Sequence, residues 1–588
     1  MTQKIKHTLR DSKKARWIAL VILSFTMFAG YLFTEIISPL KPILERTYGW
    51  NSADFGTVTS FYGFFNVWFI MLIIAGVLLD KFGIRFSTIG SVVIMIIGGT
   101  IKYFAFKLDF EPSSTINFLF FEMKTRVFMA SMGYALFGVG VEYAGITVSK
   151  SVVKWFKGKE MALAMGMQVA IARMGSAIPL FFGAYIAKVF DIPTVIFISV
   201  SLLVLGLIAF IYYNSIDKKL DKQLGDIENN AGEDNEGFQL KDLRIIFQNR
   251  GFWLIALLCV LFYSAVFPFY KYGSDLMVNK FGVSETWAGL FPGLVPLGTM
   301  LLTPLFGGIY DKKGKGASIM IIGAIILIVV HFVFYLPFID SVAVAFVNVI
   351  LLGIAFSLVP SAMWPSVPKI IPEKQLGSAY AAIFWVQNFG LWGIPLLVGI
   401  VLNSTNPTVA PDKMNIQKSF AKAYYEVVID SPLKDATNIT GEKMTELNIE
   451  SYSKGTSSDL VEKAIMVAPQ EEVTIVDSTK LSNDIYLETK EILKSYIADS
   501  LNIADINIVE DKENIAFKLM NESVISQITE KIKDEKIKLN YDYQNTWTIF
   551  VALTILALIV ALLLKAEDKR KGYGLQLPNI EKEIVKED

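Results

Sequence analysis

"GVLLDKFGIR" (residues 76–85) and "GGIYDKKGKG" (residues 307–316) share the pattern G-x-x-x-D-K-x-G, 231 residues apart. Each copy follows the second long apolar stretch of its half, so the pair marks an internal repeat that divides the chain in two. The residues carrying the pattern are Gly76, Asp80, Lys81, Gly83 and Arg85 in one copy, and Gly307, Asp311, Lys312 and Gly314 in the other. They are expected to form gating or structural loops. The glycines would permit close helix approach, and the aspartates would cap a neighbouring helix or pair with a cation.

The sequence around the repeat is apolar. Of 588 residues, 53% are hydrophobic and 13% aromatic, with mean hydropathy +0.47, too apolar for a soluble protein of this size. Lys plus Arg and Asp plus Glu are both 55, so net charge points to no nucleic-acid partner. A single cysteine, Cys259, excludes an internal disulfide framework. His7 and His331 are the only histidines, too few for a histidine-based catalytic or zinc site. No cofactor, metal or enzymatic activity is expected.

A span needs about 20 apolar helical residues. Six candidates lie near 17–39, 55–79, 86–106, 126–149, 161–188 and 192–213, and six more near 252–272, 285–309, 317–338, 341–363, 376–402 and 547–565. The first apolar stretch is too long for a signal-peptide core and reads as a retained span. The expected organisation is a six-helix half over 1–213, a cytoplasmic linker over 214–250, and helices seven to eleven over 251–403. An insertion over 404–546 and a twelfth helix with its tail over 547–588 complete the chain. Basic residues concentrate in the N-terminal tail, in the loops holding Lys81 and Arg85, Lys154 to Lys159 and Lys312 to Lys315, and after the last span. By the positive-inside rule both termini are cytoplasmic, and the insertion lies outside the cytoplasm. Its strand-like runs "EEVTIVD", "DINIVE" and "NIAFKLM", with helical runs near 482–499 and 522–535, suggest a small α+β domain, ferredoxin-like in order.

Within the spans, "GYALFGVGVEYAGITVSK" (133–150) holds an acid, Glu142, and "MQVAIARMGSA" (167–177) holds Arg173. Glu142 lies twelve residues before Lys154 and Arg173 thirteen after Glu160. At ~1.5 Å per residue both are about 18–20 Å from the basic loop between them, towards the middle of the bilayer. A charge there costs at least ~2.5–3.5 kcal/mol, so it meets a partner or lines a watery path. Two roles follow from these positions: a salt bridge that fixes two helices, or contacts to the opposite charges of a zwitterionic substrate. The bridge could serve as the resting state of the second.

The D-K-x-G loops resemble the loop signature of the major facilitator superfamily. The stretch "GVGVEYAGITVSKSVVKWFKGKEMALAMGMQVAIARMGSA" is similar to the lysosomal dipeptide transporter branch of that superfamily. "FYSAVFPF", "MWPSVPKIIPEKQLGSAYA" and "VQNFG" extend the similarity over most of the membrane portion, leaving 404–546 outside it. The resemblance implies an all-α fold of twelve transmembrane helices in two six-helix halves, and an alternating-access carrier of dipeptides, a facilitated uniporter. It implies that Glu142 reads the peptide amine and Arg173 its carboxylate. It also brings in Glu35, Trp364 and Asn388 as substrate contacts, while Tyr263 and Phe267 are expected to face the cavity. Trp364 could instead be an interfacial anchor, Glu35 a charge near the outer interface, and His331 a structural residue. Tyr134 stands where the branch places an arginine often associated with proton coupling, which argues against a proton-driven mechanism.

Two other functions stay open at this level: a proton-coupled carrier of organic anions, and a receptor or assembly platform acting through the insertion. The expected partners are a small zwitterion and the lipid bilayer, with room for an accessory protein at the insertion; the chain is expected to be a monomer. No acidic dileucine signal occurs in either tail, and the Lys-, Ile- and Asn-rich composition points to a bacterial inner membrane.

Overall fold

The computed structural model describes residues 8–111, 114–118, 121–156, 159–228, 244, 246–372, 375–430, 446–467, 478–501, 510–534 and 537–578. Among these, eleven helices are long and apolar enough to cross a membrane, and one bent helix pair completes twelve spans. Spans one to six are Lys13–Tyr48, the bent pair Ser52–Trp68 and Met71–Leu79, Lys81–Lys107, Thr125–Phe156, Leu163–Val189 and Ile192–Leu224. Spans seven to twelve are Arg250–Phe281, Glu285–Lys313, Gly316–Tyr335, Val342–Ile370, Ser378–Thr405 and Gln544–Lys571. The expected two sets of six are present.

Three elements run differently from the sequence expectation. The sixth helix continues from Ile192 to Glu228, so the first part of the expected linker is helical. Asp217 explains the extension: it is buried and accepts hydrogen bonds from Lys154 Nζ at 2.8 Å and Trp155 Nε1 at 3.0 Å. Within the insertion, the described residues form helices Val409–Ile429, Glu446–Val467, Ser478–Leu501 and Glu510–Asp534. "NIAFKLM" is therefore helical rather than a strand. Its alternation is compatible with either period over so short a run, and the helix around it decides. "EEVTIVD" and most of "DINIVE" lie outside the described residues. A short hairpin, Thr115–Phe118 paired with Phe121–Lys124, joins spans three and four.

Small residues set the packing of spans three and four. A Cβ at Gly98 would lie 2.4 Å from the Phe137 nitrogen, and one at Gly133 would lie 2.6 Å from the Lys102 nitrogen. The two backbones touch, as membrane helices do where small residues replace a hydrophobic driving force. The repeated glycines behave otherwise. Gly83 (φ 77°) kinks the chain within the first turn of span three, and Gly314 (φ 66°) turns it between spans eight and nine. Among the described residues, a Cβ at Gly76 or Gly307 would meet nothing within 4 Å, so close approach is not what these two supply. In the first copy Arg85 pairs with Asp221 at 2.9 Å. Beside Gly314 of the second, the amides of Lys315 and Gly316 donate to the carbonyls of Gln576 and Leu575 at 2.9 and 2.8 Å, strapping down the chain after the last span.

The two ends of the bundle differ in how charge is used. At the end with the basic loops, Arg16–Glu160, Lys154–Asp217 and Arg85–Asp221 stay within the first half, and Arg570–Glu567 within the second. At the end carrying the insertion, ion pairs cross between halves. Lys41 binds Asp275 at 2.8 Å, with both groups buried. Arg46 grips Glu285 with both terminal guanidinium nitrogens, Nη2 to Oε2 at 2.6 Å. The insertion joins this seam: Ser458 accepts from Arg46 at 2.8 Å, Glu462 pairs with Lys188 at 2.5 Å, and Tyr541 donates to Glu45 at 2.8 Å. Lys413 of the insertion lies 3.8 Å from Glu45, and burial holds its ammonium below the usual lysine range. Removing one partner of such a buried pair costs about 3–5 kcal/mol, because the other charge is left without water or counter-charge. The halves are thus sealed together at the insertion end.

Candidate functional site

Glu142 and Arg173 sit on consecutive antiparallel spans and open on one cavity of about 1190 Å³ between the halves. The cavity is lined at one extreme by Glu35 and Lys271 and at the other by Gly76 and Lys150, so it extends towards the basic-loop end.

The two charges do not pair with each other. Among the described residues, Glu142 accepts one hydrogen bond, from the Tyr62 hydroxyl at 2.7 Å. Nη1 of Arg173 is buried and has no hydrogen-bond partner among them. Its guanidinium is instead surrounded by rings, 5.3 Å from the centre of Phe356 and 5.9 Å from those of Phe267 and Tyr31. Cation–π contacts of this kind contribute roughly 0.5–2 kcal/mol and leave the in-plane donors of the fork unused. A guanidinium with a vacant buried donor, in the same cavity as a carboxylate with acceptor capacity to spare, is chemically matched to a small molecule carrying one charge of each sign. The resting salt bridge that the sequence allows is absent.

Other sequence candidates fall into two groups. Tyr263, Phe267, Trp364 and Glu35 line the cavity. Trp364 donates its indole N–H to Tyr263 at 3.1 Å, so it is a cavity wall and not an interfacial anchor. Tyr263 and Phe267 stack at 5.3 Å between ring centres. Asn388 is buried and does not line the cavity; it donates to the Phe384 carbonyl at 2.9 Å and accepts from Asn66 at 3.4 Å across the two halves. His331 is buried against Phe550, ring centres 5.2 Å apart.

Glu35 is already engaged. Its carboxylate accepts from Lys271 Nζ at 2.7 Å and from Ser38 at 2.7 Å, tying span one to span seven. Lys271 also donates to the Thr34 carbonyl at 2.8 Å and lies 3.4 Å from the Tyr134 hydroxyl. Lys102 stands 3.7 Å over the Tyr134 ring, so two lysines flank the position where the resemblance calls for an arginine. The sequence reading does not single out Lys271, Tyr62, Tyr31 or Phe356. The one signal for any of them is a lysine inside the apolar run of span seven, "FPFYKYGSD".

The sequence profile of the Major Facilitator Superfamily matches residues 23–393. The chain belongs to that superfamily, a family of membrane transporters and not of enzymes. It is 26% identical to the lysosomal dipeptide transporter MFSD1 of Danio rerio over 399 residues, covering 66% of this chain and 81% of the relative. With the lysosomal dipeptide transporter MFSD1 of Homo sapiens it shares 26% identity over 400 residues, covering 66% and 80%. Among solved structures, a bacterial homolog of the human lysosomal transporter Spinster, in an inward-facing and occupied conformation, superposes with a TM-score of 0.54. The match has 12% identity and covers 94% of this chain and 98% of that one, a likeness of fold.

Proposed function

We propose that this transporter carries dipeptides or similar small zwitterions by alternating access, as a facilitated uniporter, with Glu142 receiving the amine and Arg173 the carboxylate. The observation that carries this reading is the buried Nη1 of Arg173, without a partner among the described residues, in one cavity with Glu142. The relatives named as dipeptide transporters support it. Trp364, Tyr263 and Phe267 form an aromatic wall tolerant of varied side chains. Glu35 acts with Lys271 at the roof of the site, and Asn388 acts from behind the wall by holding spans two and eleven together. With the basic loops and both termini in the cytoplasm of an inner membrane, this arrangement is inward-facing, and the insertion seals its outer side. The D-K-x-G loops then brace the cytoplasmic end when it closes.

Uptake of alanyl-alanine into proteoliposomes tests the reading. Uptake should reach the equilibrium level and no more, and a pH gradient of either sign should leave that level unchanged. Accumulation above equilibrium driven by a pH gradient would replace uniport with proton coupling. Absence of dipeptide uptake would remove the dipeptide assignment.

A further inference from the structure

We infer that Tyr62 is a positioning residue that passes the occupancy of Glu142 to the break in the second span and from there to the opposite half. The inference rests on the reading of Glu142 as the ammonium contact.

Tyr62 lies in a 3-10 turn, Phe61–Gly63, that interrupts the second span. Its hydroxyl holds Glu142 at 2.7 Å, and its backbone lies against the same face of span four, where a Cβ at Gly138 would come within 2.1 Å of the Tyr62 carbonyl oxygen. Positions 138 and 142 are one helical turn apart, so span four contacts both ends of this one residue. The span then breaks at Ile70, which takes a left-handed conformation (φ 53°), rare for a β-branched residue. The two parts of the span meet there at a bend of 60°.

The segment between the turn and the break also touches the other half. Asn66, one turn after Tyr62, donates to the Gly138 carbonyl and to Asn388 of span eleven, both at 3.4 Å. Trp385 of span eleven donates to the Val67 carbonyl at 3.2 Å. One short stretch therefore links Glu142 to span eleven. A carboxylate has room for Tyr62 on one oxygen and an ammonium on the other. An arriving ammonium shifts the Glu142 carboxylate, and the Tyr62 bond, kept on the other oxygen, carries that shift into the strained stretch, which repacks against span eleven.

The test uses the full-length protein with alanyl-alanine as probe, measuring peptide-induced thermal stabilisation and uptake into proteoliposomes. Tyr62→Phe should change peptide affinity by less than about threefold while lowering the maximal uptake rate about tenfold, the size of one hydrogen bond to a charged group. Asn66→Ala, which cuts the same link at its far end, should show the same split. Peptide stabilisation of each variant reports that it is folded. Wild-type maximal rate in both variants, or a loss confined to affinity, would overturn the inference. Failure of the peptide to stabilise or be carried by the wild-type protein would instead remove the functional reading beneath it.

Discussion

Arg173→Ala is expected to lower dipeptide uptake by about a hundredfold or more while leaving the thermal stability of the empty protein nearly unchanged. The two halves of that expectation have one cause. Arg173 makes no ion pair with Glu142, and its Nη1 has no hydrogen-bond partner among the described residues, so truncation orphans no internal counter-charge there. What it removes are the ring contacts to Phe356, Phe267 and Tyr31, a gain offset by the cost of keeping an unpaired guanidinium donor buried. In the loaded state the same truncation leaves a substrate carboxylate buried without a counter-charge, at a cost of about 3–5 kcal/mol, or roughly 10²–10⁴ in affinity. Arg173→Lys keeps the charge but loses the planar fork, and should retain part of the activity. Uptake measured beside a melting curve of the empty protein checks both halves. A large loss of stability without ligand would mean that Arg173 is structural.

Glu285→Gln is expected to open the insertion end. Glu285 holds Arg46 through both terminal guanidinium nitrogens and lies 3.9 Å from Lys188, so one carboxylate joins two cations of the opposite half. Its neutral isostere leaves the buried Arg46 charge uncompensated, which penalises the sealed arrangement by about 3–5 kcal/mol. In an arrangement opened at this end the groups separate into water, and the substitution costs little. A penalty of that size shifts a two-state population by roughly 10²–10⁴, enough to change which state dominates if the two differ by a few kcal/mol. Spin labels at Lys107 and Phe338, exposed at this end in opposite halves, would report the change in a Cys259→Ser background. The distance between them should lengthen in Glu285→Gln. An unchanged distance distribution would mean that the seam is held by packing and not by this carboxylate.

Much of the fold can be read from the chain because bilayer thickness and helix rise together fix span length. The repeated D-K-x-G loops then locate equivalent points in the two halves. The broken second span escapes this reading, since Phe69 and Ile70 are apolar and nothing in their identity announces a bend. The insertion departs from its sequence reading where "NIAFKLM" joins a helix. Polar helices of this kind carry only a weak period, and a seven-residue window cannot separate it from strand alternation. Glu142 and Arg173 can be found because a charge inside an apolar span is expensive and rare. Tyr62, Tyr31 and Phe356 cannot, because aromatic residues occur throughout the spans and only the packing shows which face the cavity. Asn388 shows the converse limit: a polar residue in a span needs a partner, but sequence does not say whether that partner is a substrate or Asn66.

Competition between alanyl-alanine and its two end-blocked forms, N-acetyl-alanyl-alanine and alanyl-alanine amide, tests the central claim most directly. In the wild-type protein either block should weaken competition about a hundredfold, since each leaves one buried charge of the site unmatched. In Glu142→Gln the N-acetyl form should lose its disadvantage, and in Arg173→Ala the amide should lose its own. Equal competition by all three peptides in the wild-type protein would contradict the assignment of the two charges to the two ends of the substrate.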